Sequence, residues 1–137
     1  MNQSIYKAYD VRGLYPEEIN EQSLEPLGIT AAHIFGEGIV VVAHDGRHGS
    51  KELAGHLERT ISEEATRMGK RVEIKAIGLS TTPMFYFLVN HLGAKGGLML
   101  TASHNPKNYN GVKVVREGAV PISGKELRAA VETLLPI

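Results

Sequence analysis

Apolar and polar positions along the first half of the chain alternate between helix-like and strand-like patterns. Residues 38–43 contain a continuous β-branched run from Ile39 to Val42, which is typical of a strand buried on both faces. Before it, apolar side chains recur at helical spacing from Leu24 to Phe35, and Gly36 marks the end of that predicted helix. Pro26 is then expected in the first helical turn, where a proline costs least.

Helices and strands continue to alternate in the second half of the chain. Residues 51–68 carry apolar side chains at helical spacing, with Ser50 placed as the N-cap. Residues 71–77 alternate apolar and polar side chains, which indicates a half-exposed strand. A further helix is predicted to open with Thr82 as its cap and Pro83 at its first position.

Two more strands and a last helix complete the pattern. Residues 96–101 and 111–116 flank a short polar turn, so these two strands are predicted to pair antiparallel. Ser123 and Glu126 form a capping-box pattern that opens the last helix. This alternation predicts an α/β protein, a three-layer α/β/α sandwich with a mostly parallel (mixed) four-stranded sheet. The residues expected in the sheet core are Val40, Val42, Ile74, Leu98 and Leu100.

Composition and charge exclude several classes of protein. Fifteen basic and fifteen acidic residues give a formal net charge of zero, whereas nucleic-acid binders usually carry a basic excess. The chain has no cysteine, so disulfides and thiol chemistry are excluded. It has no apolar run of about 20 residues and no signal-peptide pattern at its start. We therefore expect a cytoplasmic protein with neither nucleic acid nor membrane as its partner.

Polar loops follow the predicted strands and carry the residues suited to chemistry. In an α/β fold, the loops beyond the carboxyl ends of the strands build the ligand site. Ser103 lies in the loop after the strand 96–101 and is a candidate nucleophile or phosphate acceptor. It is equally consistent with an ordinary turn-forming serine. The cations that could neutralise a phosphate at this edge are Arg12, Arg47 and Lys113.

Three segments of the chain resemble one enzyme family. Residues 101–106, Thr-Ala-Ser-His-Asn-Pro, are followed at 109–113 by Tyr-Asn-Gly-Val-Lys, a pattern that resembles the active-site serine loop of the α-D-phosphohexomutases. Residues 7–13, Lys-Ala-Tyr-Asp-Val-Arg-Gly, resemble the N-terminal signature of the phosphomannomutase/phosphoglucomutase branch. Residues 44–47, His-Asp-Gly-Arg, are similar to the family's turn after its first long strand. The resemblance covers essentially the whole chain.

The resemblance implies that residues 1–137 are domain I, the phosphoserine domain of a cytoplasmic isomerase of carbohydrate metabolism. Such an enzyme interconverts hexose 1-phosphate and hexose 6-phosphate through a bisphosphorylated sugar. Ser103 is then the phosphate carrier, and its phosphate is a ligand of Mg²⁺ whose other ligands are absent from this chain. Glucose 1,6-bisphosphate or a similar sugar is the implied activator.

Roles for the other site residues also come from the resemblance. It implies Arg12, His104 and Lys113 as catalytic residues beside Ser103, with His104 and Lys113 able to move the proton of a sugar hydroxyl. The residues implied in substrate or phosphate binding are Tyr9, Arg12, Arg47 and Asn110. Structural alternatives remain for several of them: Arg12 could order its own loop through Asp10, His104 could be a hydrogen-bonded loop imidazole, and Arg47 could pair with Asp45.

The other sequence motifs of the family are missing from the chain. Family members have four domains, with a metal loop of the form Asp-Gly-Asp-x-Asp-Arg and a sugar loop of the form Gly-Glu-x-Ser-Gly, and neither occurs here. We therefore expect a fragment of a four-domain enzyme that is inactive alone, and the apolar residues 134–137 are consistent with a link to another domain. Hexose phosphates and the enzyme's remaining domains are the expected partners. The alternatives are a stand-alone phosphate- or phosphosugar-binding module and a subunit that assembles with a separately encoded remainder.

Overall fold

The computed structural model of the chain describes residues 3–135 as alternating strands and helices. Short 3-10 turns lie at Gln3–Ile5 and Glu117–Ala119. The strands are β1 (Val11–Leu14), β2 (Gly38–His44), β3 (Val72–Leu79), β4 (Gly96–Leu100), β5 (Tyr109–Arg116) and β6 (Val120–Ile122). The helices are α1 (Glu21–Phe35), α2 (Ser50–Arg67), α3 (Thr82–His91) and α4 (Gly124–Leu134).

All the strands belong to one mixed sheet with the order β1-β5-β4-β2-β3, and β6 pairs with β5. Strand β2 is parallel to both of its neighbours, β3 and β4, while β5 is antiparallel to β4. Strands β1 and β6 pair with different parts of β5, at its start and at its end. The predicted antiparallel pairing of β4 and β5 is therefore confirmed.

Helices cover both faces of the sheet, which confirms the three-layer α/β/α architecture. One core cluster joins the sheet to α1, α2 and α4, and a smaller one joins its other face to α3. Of the predicted core side chains, Val40, Val42, Leu98 and Leu100 are buried, and Ile74 is partly buried against the larger cluster. No helix within residues 3–135 combines the length and apolar character needed to cross a bilayer.

Two glycines at the start of β4 allow the two helical layers to come close to the sheet. A Cβ on Gly96 would collide with the Phe35 ring of α1 and with a backbone carbonyl of β5. A Cβ on Gly97 would lie 2.8 Å from the Phe85 ring of α3. Because the two residues face opposite sides of the strand, one aromatic ring packs over each side of β4.

Within residues 3–135 the sheet has six strands instead of the predicted four. Strand β1 is only four residues long and contains Arg12 and Gly13, so its sequence lacks the apolar run that marks a strand. Strand β6 has three residues, and the Pro121 at its centre normally argues against a strand. Both are short additions along β5 and depend on pairing with it.

Three helix starts also differ from the sequence prediction. Helix α1 begins earlier, because Asn20 and Ser23 cap it reciprocally, and Pro26 consequently lies inside the helix instead of in its first turn. Thr81, and not Thr82, caps α3 through a 3.2 Å hydrogen bond from the Met84 amide. Gly49, in left-handed conformation, precedes α2, so Ser50 is not its side-chain cap.

The last helix agrees with its prediction. Ser123 and Glu126 form the expected capping box at the start of α4. The expectation that the apolar chain end links to another domain concerns Pro136 and Ile137 as well, and these two residues lie outside the described part of the chain.

An ionic cluster joins the outer ends of α1 and α2. The buried carboxylate of Glu64 accepts a 2.8 Å hydrogen bond from Arg67 Nε and lies 2.6 Å from His33 Nε2 on α1. The hydrogen bond from Arg67, followed by that from His33, lowers the pKa of Glu64 to about 2. Since the folded protein favours the ionised carboxylate, this cluster stabilises the fold only where Glu64 is charged.

This gives a prediction for stability as a function of pH. A lowered folded-state pKa contributes stability that is present above the ordinary glutamate pKa and is lost as the pH falls through the folded value. The stability advantage of the wild type over Glu64→Gln should therefore shrink between about pH 5 and pH 2. Urea unfolding across this range measures it, with Glu63→Gln, an exposed neighbour, as the control. An advantage that stayed constant would show that the cluster does not depend on the Glu64 charge.

Candidate active site

The loop between β4 and β5 presents Ser103 at the carboxyl end of the central strands. Ser103 has φ 54°, one of two non-glycine residues in the left-handed region within residues 3–135. A non-glycine residue held there costs about 1–2 kcal/mol, so the surrounding contacts must stabilise it. The Ser103 amide donates to Thr101 Oγ1 at 3.0 Å, and the Asn105 amide donates to the Ala102 carbonyl at 3.0 Å. These two bonds close a tight turn around the serine.

The side chains at the tip of this turn are open to solvent. Ser103 and His104 are both exposed, and neither side chain has a hydrogen-bond partner within residues 3–135. The structural alternative for His104, a hydrogen-bonded loop imidazole, therefore finds no partner there. An exposed hydroxyl with an exposed imidazole next to it in sequence is accessible to a reactant from outside the domain.

Arg12 and Lys113 lie together around one buried carboxylate. Asp10 is 6% exposed; its Oδ1 is 3.1 Å from Arg12 Nε, and its Oδ2 is 3.7 Å from Lys113 Nζ. The contact of Asp10 with Arg12 is an ion pair without hydrogen-bond alignment. Two cations around one carboxylate leave one net positive charge on the cluster. Arg12 thus orders its loop through Asp10, as the structural alternative proposed, and also contributes charge.

Strand register brings this cluster near the serine loop. Arg12 on β1 pairs with Gly111 on β5, and the Gly111 carbonyl accepts a 2.9 Å hydrogen bond from the Thr101 amide. Arg12 and Thr101 are therefore separated by two strand spacings, about 10 Å between Cα atoms. Lys113 pairs with Met99 on β4 and projects from the same face of the sheet as Arg12.

Tyr9 contributes an exposed ring beside this cluster. Its side chain is 84% exposed, and it lines a pocket of about 320 Å³ together with Lys113. The other lining residues are Tyr86, Val114, Val115, Pro121, Ser123 and Glu126. Tyr9 can therefore contact a ligand that approaches Lys113 from solvent.

Asn110 lies inside the domain, and its observed partners do not favour the predicted contact with phosphate. Its side chain is fully buried, and Nδ2 donates to Ser50 Oγ at 3.0 Å and to the His48 carbonyl at 3.2 Å. Oδ1 accepts a 2.8 Å hydrogen bond from the Gly111 amide. The amide group thus joins two loops from within the domain, and phosphate contact by Asn110 stays a prediction.

Arg47 is also engaged by groups within the domain. Its guanidinium donates to backbone carbonyls of the β4–β5 loop, and its Nε lies 3.4 Å from Asp45 Oδ2. The structural alternative, pairing with Asp45, is therefore present. Phosphate contact by Arg47 stays a prediction that the observed partners of its donors do not favour.

Sequence reasoning missed the part that Asp45 and Ser50 play in this site. Asp45 Oδ1 accepts hydrogen bonds from Ser50 Oγ at 2.6 Å and from the Arg47 amide at 3.0 Å. The Asp-Gly-Arg turn was visible in the sequence, but it gave no sign that Ser50 belongs to it. A serine just before a long helical pattern is more simply interpreted as a cap.

Comparison with known proteins identifies the family. Residues 3–135 match the model of the phosphoglucomutase/phosphomannomutase family, alpha/beta/alpha domain I. The chain belongs to the phosphoglucomutase/phosphomannomutase family. The resemblance carried by the serine loop and the N-terminal signature is thereby confirmed.

Several relatives are similar over most of the chain. It is 45% identical over 121 residues to a protein named phosphohexose mutases from Xanthomonas campestris pv. campestris, and 44% identical over 119 residues to an Escherichia coli phosphomannomutase. These matches cover 86% and 87% of this chain and 25% of each relative, so the chain spans about a quarter of their length. A solved structure from Thermus thermophilus, described as a phosphomannomutase, shares 35% identity with a TM-score of 0.79, covering 95% of this chain and 29% of that one.

The Mg²⁺ implied by family resemblance does not fit the residues of this domain alone. Mg²⁺ prefers about six oxygen ligands in octahedral geometry, usually including carboxylates. The carboxylates nearest the serine loop are engaged elsewhere, Asp10 with two cations and Asp45 with Arg47 and Ser50. In the described part of the chain, no group of three or more metal-binding side chains is arranged to hold an ion.

The buried hydrogen bonds of Asn110 lead to a prediction for stability. Asn110→Ala leaves the buried Gly111 amide without its partner, and such a loss costs about 1–3 kcal/mol. Asn108→Ala, on the exposed part of the same loop, should change stability by less than about 0.5 kcal/mol. Chemical denaturation of both variants measures the difference. Equal effects would mean that the buried amide does not hold the two loops together.

The cluster of Arg12 and Lys113 leads to a prediction for anion binding by this phosphohexomutase domain. Its net positive charge and the nearby amides of the Ser103 loop should attract inorganic phosphate. Titration followed by backbone NMR should shift the amides of Arg12, Ser103 and Lys113. Lys113→Ala should weaken the response, whereas Lys51→Ala, an exposed lysine on α2, should leave it unchanged. Shifts confined to a remote surface would contradict the site.

Proposed function

We propose that this domain carries the phosphoryl group of a phosphohexomutase on Ser103. The observation that supports this most strongly is the exposed Ser103 hydroxyl, held in left-handed conformation close to a cluster with net positive charge. A phosphoserine carries a charge of about −1.5 to −2. A nearby net positive charge is what such a group requires.

In the proposed reaction, the phosphoryl group moves between Ser103 Oγ and a hydroxyl oxygen of a hexose phosphate. In the forward step, the Oγ–P bond breaks and a bond from the sugar oxygen to phosphorus forms, giving a bisphosphorylated sugar. The serine later recovers a phosphoryl group from the other position, so hexose 1-phosphate and hexose 6-phosphate interconvert. Phosphoryl transfer of this kind depends mainly on positioning and charge stabilisation.

The structure suggests different tasks for the two residues proposed to help. The ammonium group of Lys113 is 3.7 Å from the Asp10 carboxylate and its side chain is partly exposed, so it is suited to stabilising phosphate charge. His104, exposed next to the serine, is better suited to accept the proton of the sugar hydroxyl. Tyr9 and Arg12 are proposed to contact the sugar phosphate at the rim of the Lys113 pocket.

We further propose that the domain acts as part of a larger enzyme and lacks mutase turnover alone. The chain spans about a quarter of the length of its relatives, and residues 3–135 contain no group of three or more side chains arranged to hold a metal ion. Mg²⁺ and a sugar bisphosphate activator are therefore proposed for the complete, cytoplasmic enzyme, with the Ser103 phosphate as this domain's contribution to the metal.

An apolar surface beside α3 favours this proposal over a stand-alone phosphate-binding module. Leu79, Met84 and Phe87 are 71%, 51% and 54% exposed on the outer side of β3 and α3. Clusters of large exposed apolar side chains are typical of surfaces that contact another protein or domain. A module that functions alone has reason to keep such residues covered.

The central test removes the proposed carrier in the complete enzyme. Ser103→Ala should abolish turnover, since alanine cannot hold a phosphoryl group. The fold should be nearly unaffected, because one loop hydroxyl contributes only about 0.5–1.5 kcal/mol. Lys113→Ala keeps the carrier but loses charge stabilisation, so we expect a decrease in kcat of about 10²–10³-fold. A coupled mutase assay and thermal unfolding measure these effects.

Mass spectrometry identifies the carrier directly. After incubation with glucose 1,6-bisphosphate, the wild-type enzyme should carry phosphate on the peptide that contains Ser103. Ser80→Ala, which alters a serine at the same edge of the sheet, is the matched control and should be labelled and active like the wild type. Label on another residue of the wild type, or turnover retained by Ser103→Ala, would show that the carrier lies elsewhere.

A further inference from the structure

The guanidinium of Arg47 lies beneath the Ser103 loop and contacts it at several points. Arg47 belongs to the turn after β2, about 60 residues before the loop in sequence. Its two terminal nitrogens donate to four backbone carbonyls within 3.2 Å. These carbonyls belong to Ser103 (2.7 Å), Asn105 (2.6 Å), Pro106 (2.7 Å) and Tyr109 (3.2 Å).

The two terminal nitrogens of Arg47 have as many carbonyl contacts as they have N–H groups. A guanidinium has five N–H groups in a rigid planar fork. Four of them are accounted for by the loop carbonyls, and Nε lies 3.4 Å from Asp45 Oδ2. The Arg47 side chain is only 14% exposed. Its four terminal N–H groups are therefore engaged by the protein, and the remaining N–H group, at Nε, lies near a carboxylate, although Arg47 is a cation near the serine.

Arg47 is itself held in place by a buried network. Asp45 receives a 2.6 Å hydrogen bond from Ser50, and Ser50 in turn receives one from Asn110 at the far end of the loop. Ser50 and Asn110 are both fully buried. The guanidinium is thus fixed from the side of α2 while its fork is directed at the loop.

The hydrogen bonds from Arg47 determine on which side of the turn the Ser103 hydroxyl lies. The carbonyl of Ser103 itself is bound by Arg47, together with those of two residues that follow closely, Asn105 and Pro106. Carbonyl oxygens gathered on one side repel one another unless a donor satisfies each of them. These oxygens point inward to Arg47, so the Ser103 hydroxyl lies on the outer side of the turn. The backbone of Ser103 keeps its left-handed conformation there.

We propose that Arg47 is a positioning residue for Ser103: its fork fixes the conformation of the serine loop for phosphoryl transfer and does not contact the phosphate. This inference rests on the proposed function of Ser103. A positioning role for Arg47 differs from phosphate binding by Arg47 in two ways that can be measured. A residue that fixes the loop, here called a clamp, affects the rate of the transfer step more than substrate affinity. Its effect also depends on the planar geometry of the guanidinium more than on its charge.

Substitutions at position 47 in the complete enzyme test the first difference. A displacement of the reacting group by about 1 Å can cost about 10²-fold in rate. Arg47→Met should therefore lower kcat by about 10²-fold while KM changes by less than about 3-fold. The matched control is Arg71→Met, an exposed arginine at the amino end of β3, which should match the wild type. A KM increase with unchanged kcat would overturn the clamp in favour of a phosphate ligand.

Arg47→Lys tests the second difference. Lysine keeps the charge but has three donors on a flexible stem and cannot reproduce the planar fork. A clamp predicts that Arg47→Lys loses kcat nearly as strongly as Arg47→Met. If Arg47→Lys kept kcat within about 3-fold of the wild type while Arg47→Met did not, charge alone would explain the residue and the proposal would be wrong.

Backbone NMR of the 137-residue chain separates failure of this inference from failure of the proposed function. In Arg47→Met, amide shifts and hydrogen exchange should change for residues 101–110 and stay unchanged in the buried strand β4. This holds whether or not Ser103 carries phosphate. Unchanged loop amides would overturn the clamp. Turnover that survives Ser103→Ala would instead overturn the proposed function and leave the loop measurement valid.

Discussion

The position of the serine loop depends on the burial of the parallel strands β2 and β4 between two helical layers. Every residue of β4 is buried, with Phe35 against one face and Phe85 against the other. A strand enclosed in this way can meet solvent only where it ends. Because β2 and β4 are parallel neighbours, the loops that follow them leave the same carboxyl edge of the sheet and become neighbours there. Their contact through Arg47 follows from this packing.

The contact between these loops is built from polar groups that satisfy one another. Buried Ser50 and Asn110 would each weaken the fold if left without partners. Asn110 instead donates to Ser50, Ser50 donates to Asp45, and Asp45 pairs with Arg47. In this way a strained backbone at Ser103 is supported from inside the domain. The side chains on the outer side of the loop, Ser103 and His104, have no hydrogen-bond partner among the described residues.

The charged side chains near the serine loop are not all neutralised within the domain. Asp10 is shared by Arg12 and Lys113, which fixes both cations without neutralising both. The remaining positive charge lies on the face of the sheet that α3 leaves partly open, beside the pocket of Tyr9. Arg47 presents the opposite case, because its donors are engaged by the protein itself. Arg12 and Lys113 are thus available to a ligand, whereas Arg47 supports the backbone of the serine loop.

The sequence alone determined the fold class and the serine loop, because both depend on local patterns. The apolar run before His44, the helical spacing within residues 51–68 and the capping box at Ser123 predicted elements that the structure contains. Short strands such as β1 and β6 escaped prediction, because they exist only through pairing with β5.

The roles of single polar side chains were decided by tertiary structure. Arg47 and Asn110 look like ligand-binding residues when only their types and neighbours are known. Their partners come from segments about 60 residues away, so whether a guanidinium or an amide is free for a ligand depends on contacts that only the folded chain creates. Hydrogen bonding over that separation leaves no periodic pattern in the sequence, whereas the burial of helices and strands does.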